Sequence, residues 1–232
     1  MKINNFSDFC SALLSCGFSM GGGSAKGIFA LIPYGWEEQH LMDSPVKWHT
    51  GDPETDPWEW RMRVLEERCD IAYAKLFFRA SGYITEEWYP YFLAVRRSGE
   101  TLEEAYQNGT VSQAAMRIYR VIAESGRVPL HEIKAMGGFG REEQSGFERA
   151  MVELQTRMFI TMCGRAQKVN QFNQAYGWNS TVFCTVASFW GDSMLERARS
   201  IPKQTATEKI SERIKLLNPA AEDKKIKKFI NG

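Results

Sequence analysis

The segment TVSQAAMRIYRVIAESG (residues 110–126) opens the stretch that decides the fold. Thr110 and Gln113 have the spacing of a capping box, and Gly126 occupies a typical C-cap position. The apolar side chains between them recur at helical spacing, namely Ala115, Ile118, Tyr119 and Ile122. This pattern predicts an amphipathic helix that ends at Gly126.

Two more helices are predicted after this one. The first is short and places three apolar residues on one face, Leu130, Ile133 and Met136. The turn GGFG (137–140) ends it, and a longer helix follows over 141–155. The side chains that this longer helix is expected to bury are Phe147, Ala150, Met151 and Leu154.

Two strand-like runs complete the segment, MFITMC (158–163) and TVFCTV (181–186), with an amide-rich loop between them. Helix, helix, turn, helix and hairpin is the order of a winged helix-turn-helix. In that fold the third helix usually enters a nucleic-acid groove, and the hairpin usually touches the backbone.

An α+β unit is predicted before the winged helix. Three of its elements have one interpretation each: a helix over 5–16, a strand over 27–32 and a short helix from Thr85 to Arg97. WEWRMRVL (58–65) alternates as a half-buried strand does, but Asp56-Pro57 could also start a helix there. Residues 70–84 suit either a strand or a helix.

Helices are predicted at the C-terminal end, after caps at Asp192 and at Thr205-x-x-Glu208. Asn218-Pro219 separates off a last helix, whose inward-facing residues are Ile226, Phe229 and Ile230. The expected fold class is α+β. The expected domains are an N-terminal α+β unit (1–105), a winged helix-turn-helix (106–190) and a C-terminal helical extension (191–232) that packs on the rest.

Composition indicates a globular, cytoplasmic protein. Hydrophobic residues make up 44% and charged residues 25%, and no apolar run reaches membrane-spanning length. The N-terminus lacks a secretory hydrophobic region, and the five scattered cysteines suit reduced thiols. Net charge is −6 over residues 1–110 and +7 over 111–232, an asymmetry typical of a polyanion-binding half. Basic helices with solvated faces would give the same count.

The sequence does not match the motifs that bind cofactors or metals. GGGSAKG (21–27) resembles a phosphate loop, but Lys26 precedes Gly27 and the order Gly-Lys-Ser/Thr is missing. A flexible turn explains it better. The three histidines lack metal-ligand spacing, so neither a metal nor a cofactor is expected.

The third helix of the winged segment carries candidate DNA contacts on the face opposite its core residues, namely Arg141, Ser145 and Arg149. Glu142 and Glu148 flank them and would repel phosphates, so an ordinary solvated face is the alternative.

The loop RAQKVNQFNQAYGWN (165–179) contains no acid and is the stronger DNA candidate. Arg165 and Lys168 are expected to stay exposed and positive, with Asn170 and Gln171 beside them. Its aromatic residues could stack on bases, but pinning the hairpin to the core is the preferred interpretation for Phe172, Tyr176 and Trp178.

A third cluster of candidates lies in the N-terminal half. Carboxylates near stacked aromatic rings could position water at a flipped nucleobase. The catalytic candidates on this reasoning are Asp52, Glu54, Asp56, Glu59, Tyr73 and Lys75. A turn rich in helix-capping acids beside two core tryptophans is the simpler interpretation.

Several segments together resemble the AlkZ/YcaQ-like winged-helix proteins. They are the winged segment, WEWRMR…AYAKLFF, GYITEEWYPYF (82–92) and KISERIKLLNPAAEDKKIKKFI (209–230). The larger bacterial members are DNA glycosylases that act on alkylated or crosslinked bases. The resemblance implies a small bacterial relative with a winged-helix fold and a connection to DNA repair.

Two departures limit what the resemblance implies. Those enzymes are longer and contain tandem winged helices, whereas this chain has the pattern of one. Their catalytic Gln-x-Gln element is absent, since the nearest match is Gln171-Phe172-Asn173-Gln174. The glycosylase residues are therefore not carried over to this chain.

Three functions follow as hypotheses. The leading one is a winged-helix DNA-binding protein. The second is a glycosylase-like base-excision enzyme that uses the 52–75 cluster. The third is a winged-helix module that binds a protein partner, suggested by Glu142 and Glu148 on the presumed recognition face.

Overall fold

The computed structural model describes residues 2–22, 24–33, 44–169, 172 and 174–232. Its N-terminal part is mixed α and β. The elements there are α1 (Phe6–Cys16), β1 (Phe18–Met20), α2 (Pro57–Glu67), β2 (Ile71–Phe77), β3 (Ala80–Thr85), α3 (Tyr89–Arg96) and α4 (Leu102–Gln107). Helix α1 starts at the expected cap, where the side chain of Asn5 accepts a hydrogen bond from the Asp8 amide at 2.9 Å.

The first sheet is antiparallel, with the strand order β1-β3-β2. Tyr73 pairs with Tyr83 across β2 and β3, and a bulge separates Ala74 from Phe77. The turn after the bulge holds Phe78 and Arg79 at positive φ, 51° and 60°.

The middle of the chain forms helix, short strand, two helices and a hairpin. Its elements are α5 (Gln113–Ser125), β4 (Val128–Pro129), α6 (Leu130–Met136), α7 (Gln144–Thr156), β5 (Ile160–Ala166) and β6 (Ser180–Thr185). The second sheet is antiparallel in the order β4-β6-β5. The buried face of α7 is the predicted one, with Phe147, Ala150, Met151 and Leu154.

Four helices end the chain, α8 (Val186–Trp190), α9 (Asp192–Arg199), α10 (Lys203–Leu217) and α11 (Asp223–Asn231). Ile226, Phe229 and Ile230 of α11 are buried, as predicted. No helix within the described ranges is long and apolar enough to cross a membrane.

Several local predictions are wrong. Residues 27–32 do not form a strand, because Ala30 makes only an isolated bridge with Met20. Of the two interpretations of residues 58–65 the strand is wrong and the helix is confirmed, since the Asp56 side chain caps it and Pro57 begins it. Helix α5 is capped by Ser112 and not by Thr110, while α9 and α10 have no side-chain cap.

Arg96 joins distant parts of the chain. Its half-buried side chain donates hydrogen bonds to the carbonyl oxygens of Leu76, Thr156, Phe229 and Ile230 at 2.7–2.9 Å. Each acceptor is a main-chain group, and two of them end α11, where the helix dipole favours a cation. The same apolar core extends through all three parts.

Candidate nucleic-acid interface

Cations from separate segments gather at the turn of the β2–β3 hairpin. The ammonium groups of Lys26 and Lys228 each lie 5.9 Å from the centre of the Phe78 ring. Arg79 follows Phe78 directly, and Lys75 lies on the strand before the turn. We call Lys26, Lys75, Arg79 and Lys228 the hairpin patch.

The hairpin patch continues into a groove along α7. This groove has a volume of about 880 Å³, and Lys75, Arg79, Ser145 and Arg149 all line it. None of the patch cations, nor Arg149, forms an ion pair with a residue that the structure describes. Cations without carboxylate partners are available to bind an external anion.

Two carboxylates also line the groove, and both already accept hydrogen bonds. Glu153 accepts from the amide and hydroxyl of Ser112, at 3.0 and 2.7 Å, and Glu148 accepts from Gln144. A fourth groove cation, Arg157, forms an ion pair with Glu100 at 3.1 Å. The unpaired groove cations thus outnumber the acids.

The three candidates predicted on the third helix separate in space. Ser145 and Arg149 lie on α7 in the groove, whereas Arg141 is exposed in the turn that precedes α7 and does not line it. The structure therefore brings two of the three together with Lys75, which the sequence placed in another cluster.

Arg165 is not the free cation that the acid-free loop predicts. Its guanidinium reaches α2, where Nε lies 2.9 Å from Glu66 Oε1 and Nη1 lies 3.5 Å from Glu59 Oε2. The prediction failed because the neutralising acids come from elsewhere in the fold. Lys168 has no such acid among the described residues, while Asn170 and Gln171 lie outside them.

The aromatic residues of the 165–179 loop are exposed. Phe172 is 72%, Tyr176 52% and Trp178 91% accessible to solvent. The preferred interpretation, that they pin the hairpin to the core, is therefore wrong. An indole exposed to this degree has the full face of its ring available for stacking.

The four N-terminal carboxylates have partners within the protein. Asp56 is fully buried and accepts hydrogen bonds from the amides of His49, Gly51 and Trp58, at 3.0, 2.9 and 2.8 Å. Glu54 pairs with Arg63 at 2.8 Å, and Glu59 pairs with Arg165. Asp52 accepts from the Thr55 hydroxyl, and this hydrogen bond lowers the pKa of its carboxyl group.

Tyr73 and Lys75 line different cavities, although both lie on β2. Lys75 faces the α7 groove, while Tyr73 packs on Tyr83 with their ring centres 4.7 Å apart. Tyr73 also lines a second cavity of about 350 Å³, which we call the aromatic pocket. Trp48, Trp58, Arg61 and Lys26 contribute to its walls.

Sequence reasoning missed the cation in this pocket. The guanidinium carbon of Arg61 lies 3.2 Å from the centre of the Trp58 ring, and its Nε donates to the Trp58 carbonyl at 2.8 Å. The two residues are three apart on α2, a spacing that places side chains side by side. The helical interpretation of 58–65 already places these two side chains next to each other.

No group of His, Cys, Asp and Glu side chains that could hold a metal ion occurs in the described part of the chain.

Comparison with known proteins gives one match. No curated protein and no solved structure matches, but the family model described as "AlkZ related" matches residues 3–231, nearly the whole chain. The protein therefore belongs to the AlkZ-related family.

Proposed function

We propose that this protein binds duplex DNA and acts in a process linked to DNA repair. Membership of the AlkZ-related family points to DNA repair. The observation that carries the proposal is the convergence of unpaired cations: Lys75, Arg79 and Arg149 line one groove, and Lys26 and Lys228 lie at the hairpin turn beside it. These groups come from four separated segments and have no carboxylate partners among the described residues, as expected of a phosphate-binding surface.

The arrangement of residues 113–185 supports a winged helix in this role. Helix, short strand, two helices and a hairpin follow one another, and β4 joins the edge of the hairpin. In such a fold α7 is the recognition helix, and the hairpin lies over the DNA backbone. Ser145 and Arg149 would then face the major groove, with Arg141 at its entrance.

The ion pairs of Arg165 change the predicted contact. Its charge is neutralised by α2, so we assign the main phosphate contacts to the hairpin patch. Lys168 remains a candidate in the hairpin loop, together with the exposed aromatic rings.

Salt-dependent DNA binding tests the proposal. We expect the affinity of the full chain for a labelled duplex to fall steeply with salt, because phosphate contacts release counterions. The salt dependence is measured as the slope of the logarithm of the binding constant against the logarithm of the salt concentration, called the log–log salt slope below. The triple variant Lys75→Gln, Arg79→Gln and Lys228→Gln should reduce the size of this slope by about 2.7, because each cation that no longer neutralises a phosphate lowers it by about 0.9.

Matched controls come from cations elsewhere on the surface. The control variants are Lys203→Gln and Arg120→Gln. Lys203 lies in a separate cleft beside Glu100 and Glu104, and Arg120 lies on α5. Both should leave the slope unchanged. An unchanged slope in a folded triple variant would remove the patch from the proposal, and no duplex binding by the unmodified protein at low salt would remove the proposal itself.

Base excision is the second candidate function, favoured by the aromatic pocket close to the acidic turn. An abasic-site assay on alkylated DNA tests it. Because Asp56 caps α2, the informative variant is Asp52→Ala, Glu54→Ala and Glu59→Ala, with Asp56→Asn made separately. Activity that is present but insensitive to both would refute the catalytic role of these acids.

A further inference from the structure

The aromatic pocket lies between α2, the β2–β3 hairpin and the glycine turn after β1. Its volume of about 350 Å³ is at the small end of ligand pockets. Two aromatic side chains in its lining are Trp58, which is 42% exposed, and Tyr73, which is 4% exposed. Arg61 lies over the Trp58 ring, and the centre of the His49 ring lies 4.9 Å from the centre of the Trp58 ring. A pocket of this size and lining suits one small ligand that contains an aromatic ring.

The charges of the pocket are all positive among the residues that line it. Arg61 and Lys26 contribute cations, and no aspartate or glutamate is present in the lining. Arg61 donates a hydrogen bond to the Trp58 carbonyl through its Nε–H alone. Its terminal N–H groups have no acceptor among the described residues. A guanidinium that is held against an indole and keeps these donors unused is suited to bind a phosphate.

Close approach of the backbone shapes the pocket at Gly21. A Cβ atom there would lie 2.8 Å from the Tyr73 ring and 3.1 Å from the Gly82 nitrogen, so no side chain fits without displacing them. The Gly21 amide donates to the Ser81 carbonyl at 2.8 Å, which holds the turn against β3. At the next residue, Gly22, an added Cβ atom would meet no described atom within 4 Å.

We propose that the aromatic pocket binds one nucleoside monophosphate unit. Its base packs against the exposed part of the Trp58 indole that Arg61 does not cover, and its phosphate is held by Arg61 and Lys26. Two sources of this chemistry exist, a free nucleotide and an unpaired nucleotide within DNA. The second rests on the proposed function, and Lys26 favours it because this residue belongs both to the pocket and to the hairpin patch.

Free deoxyadenosine monophosphate tests the pocket without DNA. Binding to the full chain, followed by calorimetry, should be weakened about tenfold by Trp58→Leu, since base–aromatic stacking commonly contributes that much. Arg61→Gln should weaken it for the nucleotide but little for deoxyadenosine, which lacks the phosphate. Tyr106→Leu, another exposed aromatic residue, and Arg120→Gln are the matched controls.

A duplex with a single bulged nucleotide tests the second source. We expect it to bind at least about fivefold tighter than the fully paired duplex, and Trp58→Leu should abolish this preference while leaving the affinity for paired duplex unchanged. Binding of the free nucleotide alone assigns the pocket to free nucleotides, and bulge preference alone assigns it to DNA.

The two proposals fail differently. Absence of paired-duplex binding refutes DNA binding and leaves the free-nucleotide result standing. If neither the nucleotide nor the bulge responds to Trp58→Leu and Arg61→Gln in variants with unchanged melting temperature, the pocket is not a nucleotide site.

Discussion

The Nε atom of Arg165 lies 2.9 Å from Oε1 of Glu66, a contact between residues 99 positions apart. Glu59, two turns earlier on α2, completes the arrangement at 3.5 Å. The ion pairs attach β5 of the hairpin to the N-terminal part of the chain. They also neutralise the one arginine that the acid-free loop offered as a DNA contact.

Removing the two acids should therefore strengthen DNA binding. In the double variant Glu59→Gln and Glu66→Gln, Arg165 regains a free charge and two repulsive charges disappear. We expect tighter duplex binding and a log–log salt slope larger by up to about 0.9. The free energy of unfolding should fall by less than about 1 kcal/mol, because exposed ion pairs contribute little. Glu212→Gln on α10 is the control, and weaker binding by the double variant would contradict the prediction.

Asp56 should be a structural residue whatever the activity of the protein. It is fully buried and satisfies three main-chain amides. Asp56→Ala should lower the free energy of unfolding by about 2–3 kcal/mol, because the cap disappears and unpaired donors remain. Asp56→Asn keeps one acceptor and should cost less. Urea unfolding measures both, and equal stability of Asp56→Ala and the unmodified protein would refute the structural role.

Local periodicity was sufficient for the amphipathic helices. The apolar spacing in α5 and α7 predicts their buried faces, because a helix repeats every 3.6 residues whatever packs against it. Residues 58–65 fit two periodicities, and the local cap at Asp56 decided between them. The run 27–32 is apolar enough for a strand, but a strand needs a partner ladder, and Ala30 finds only a bridge.

Long-range contacts explain what the sequence could not predict of the candidate interface. Lys26 and Lys228 meet at Phe78 although they lie near opposite ends of the chain, and no local pattern links them. The partners of Arg165 lie on α2 and not in its own loop. Counting charges within a segment cannot reveal neutralisation by another segment.

Cysteine reactivity provides a test of the buried positions. Cys69 is exposed and the other four cysteines are buried. Burial raises the pKa of both Cys10 and Cys16 to about 11, so these thiols stay protonated and unreactive at pH 8. A disulfide reagent at pH 8 should modify one thiol rapidly in the native protein and five in denaturant. Cys69→Ser should abolish the rapid phase, and two or more rapid thiols would contradict the burial of the rest.

The pH dependence of stability follows from the same groups. The folded-state pKa of Cys10 and Cys16 lies above the usual value of 9.0, so the folded protein retains protons that the unfolded chain releases. Their contribution is therefore complete below pH 9 and is lost as the pH rises toward 11. The double variant Cys10→Ala and Cys16→Ala should show a shallower fall of unfolding free energy over this interval, and an unchanged slope would contradict it.

Trp178 should contribute to DNA binding without contributing to stability. The side chain is 91% exposed in the hairpin loop, so Trp178→Ala removes almost no buried surface and should change the free energy of unfolding by less than about 0.5 kcal/mol. The variant cannot stack an indole on a base or sugar, and we expect duplex affinity to fall between about fivefold and thirtyfold. The salt slope should stay constant, because no cation is removed. Leu216→Ala on α10, which is 75% exposed, is the matched control for removal of an exposed apolar side chain. Full affinity in Trp178→Ala would exclude the hairpin loop as a stacking contact and leave the hairpin patch and α7 as the binding surface.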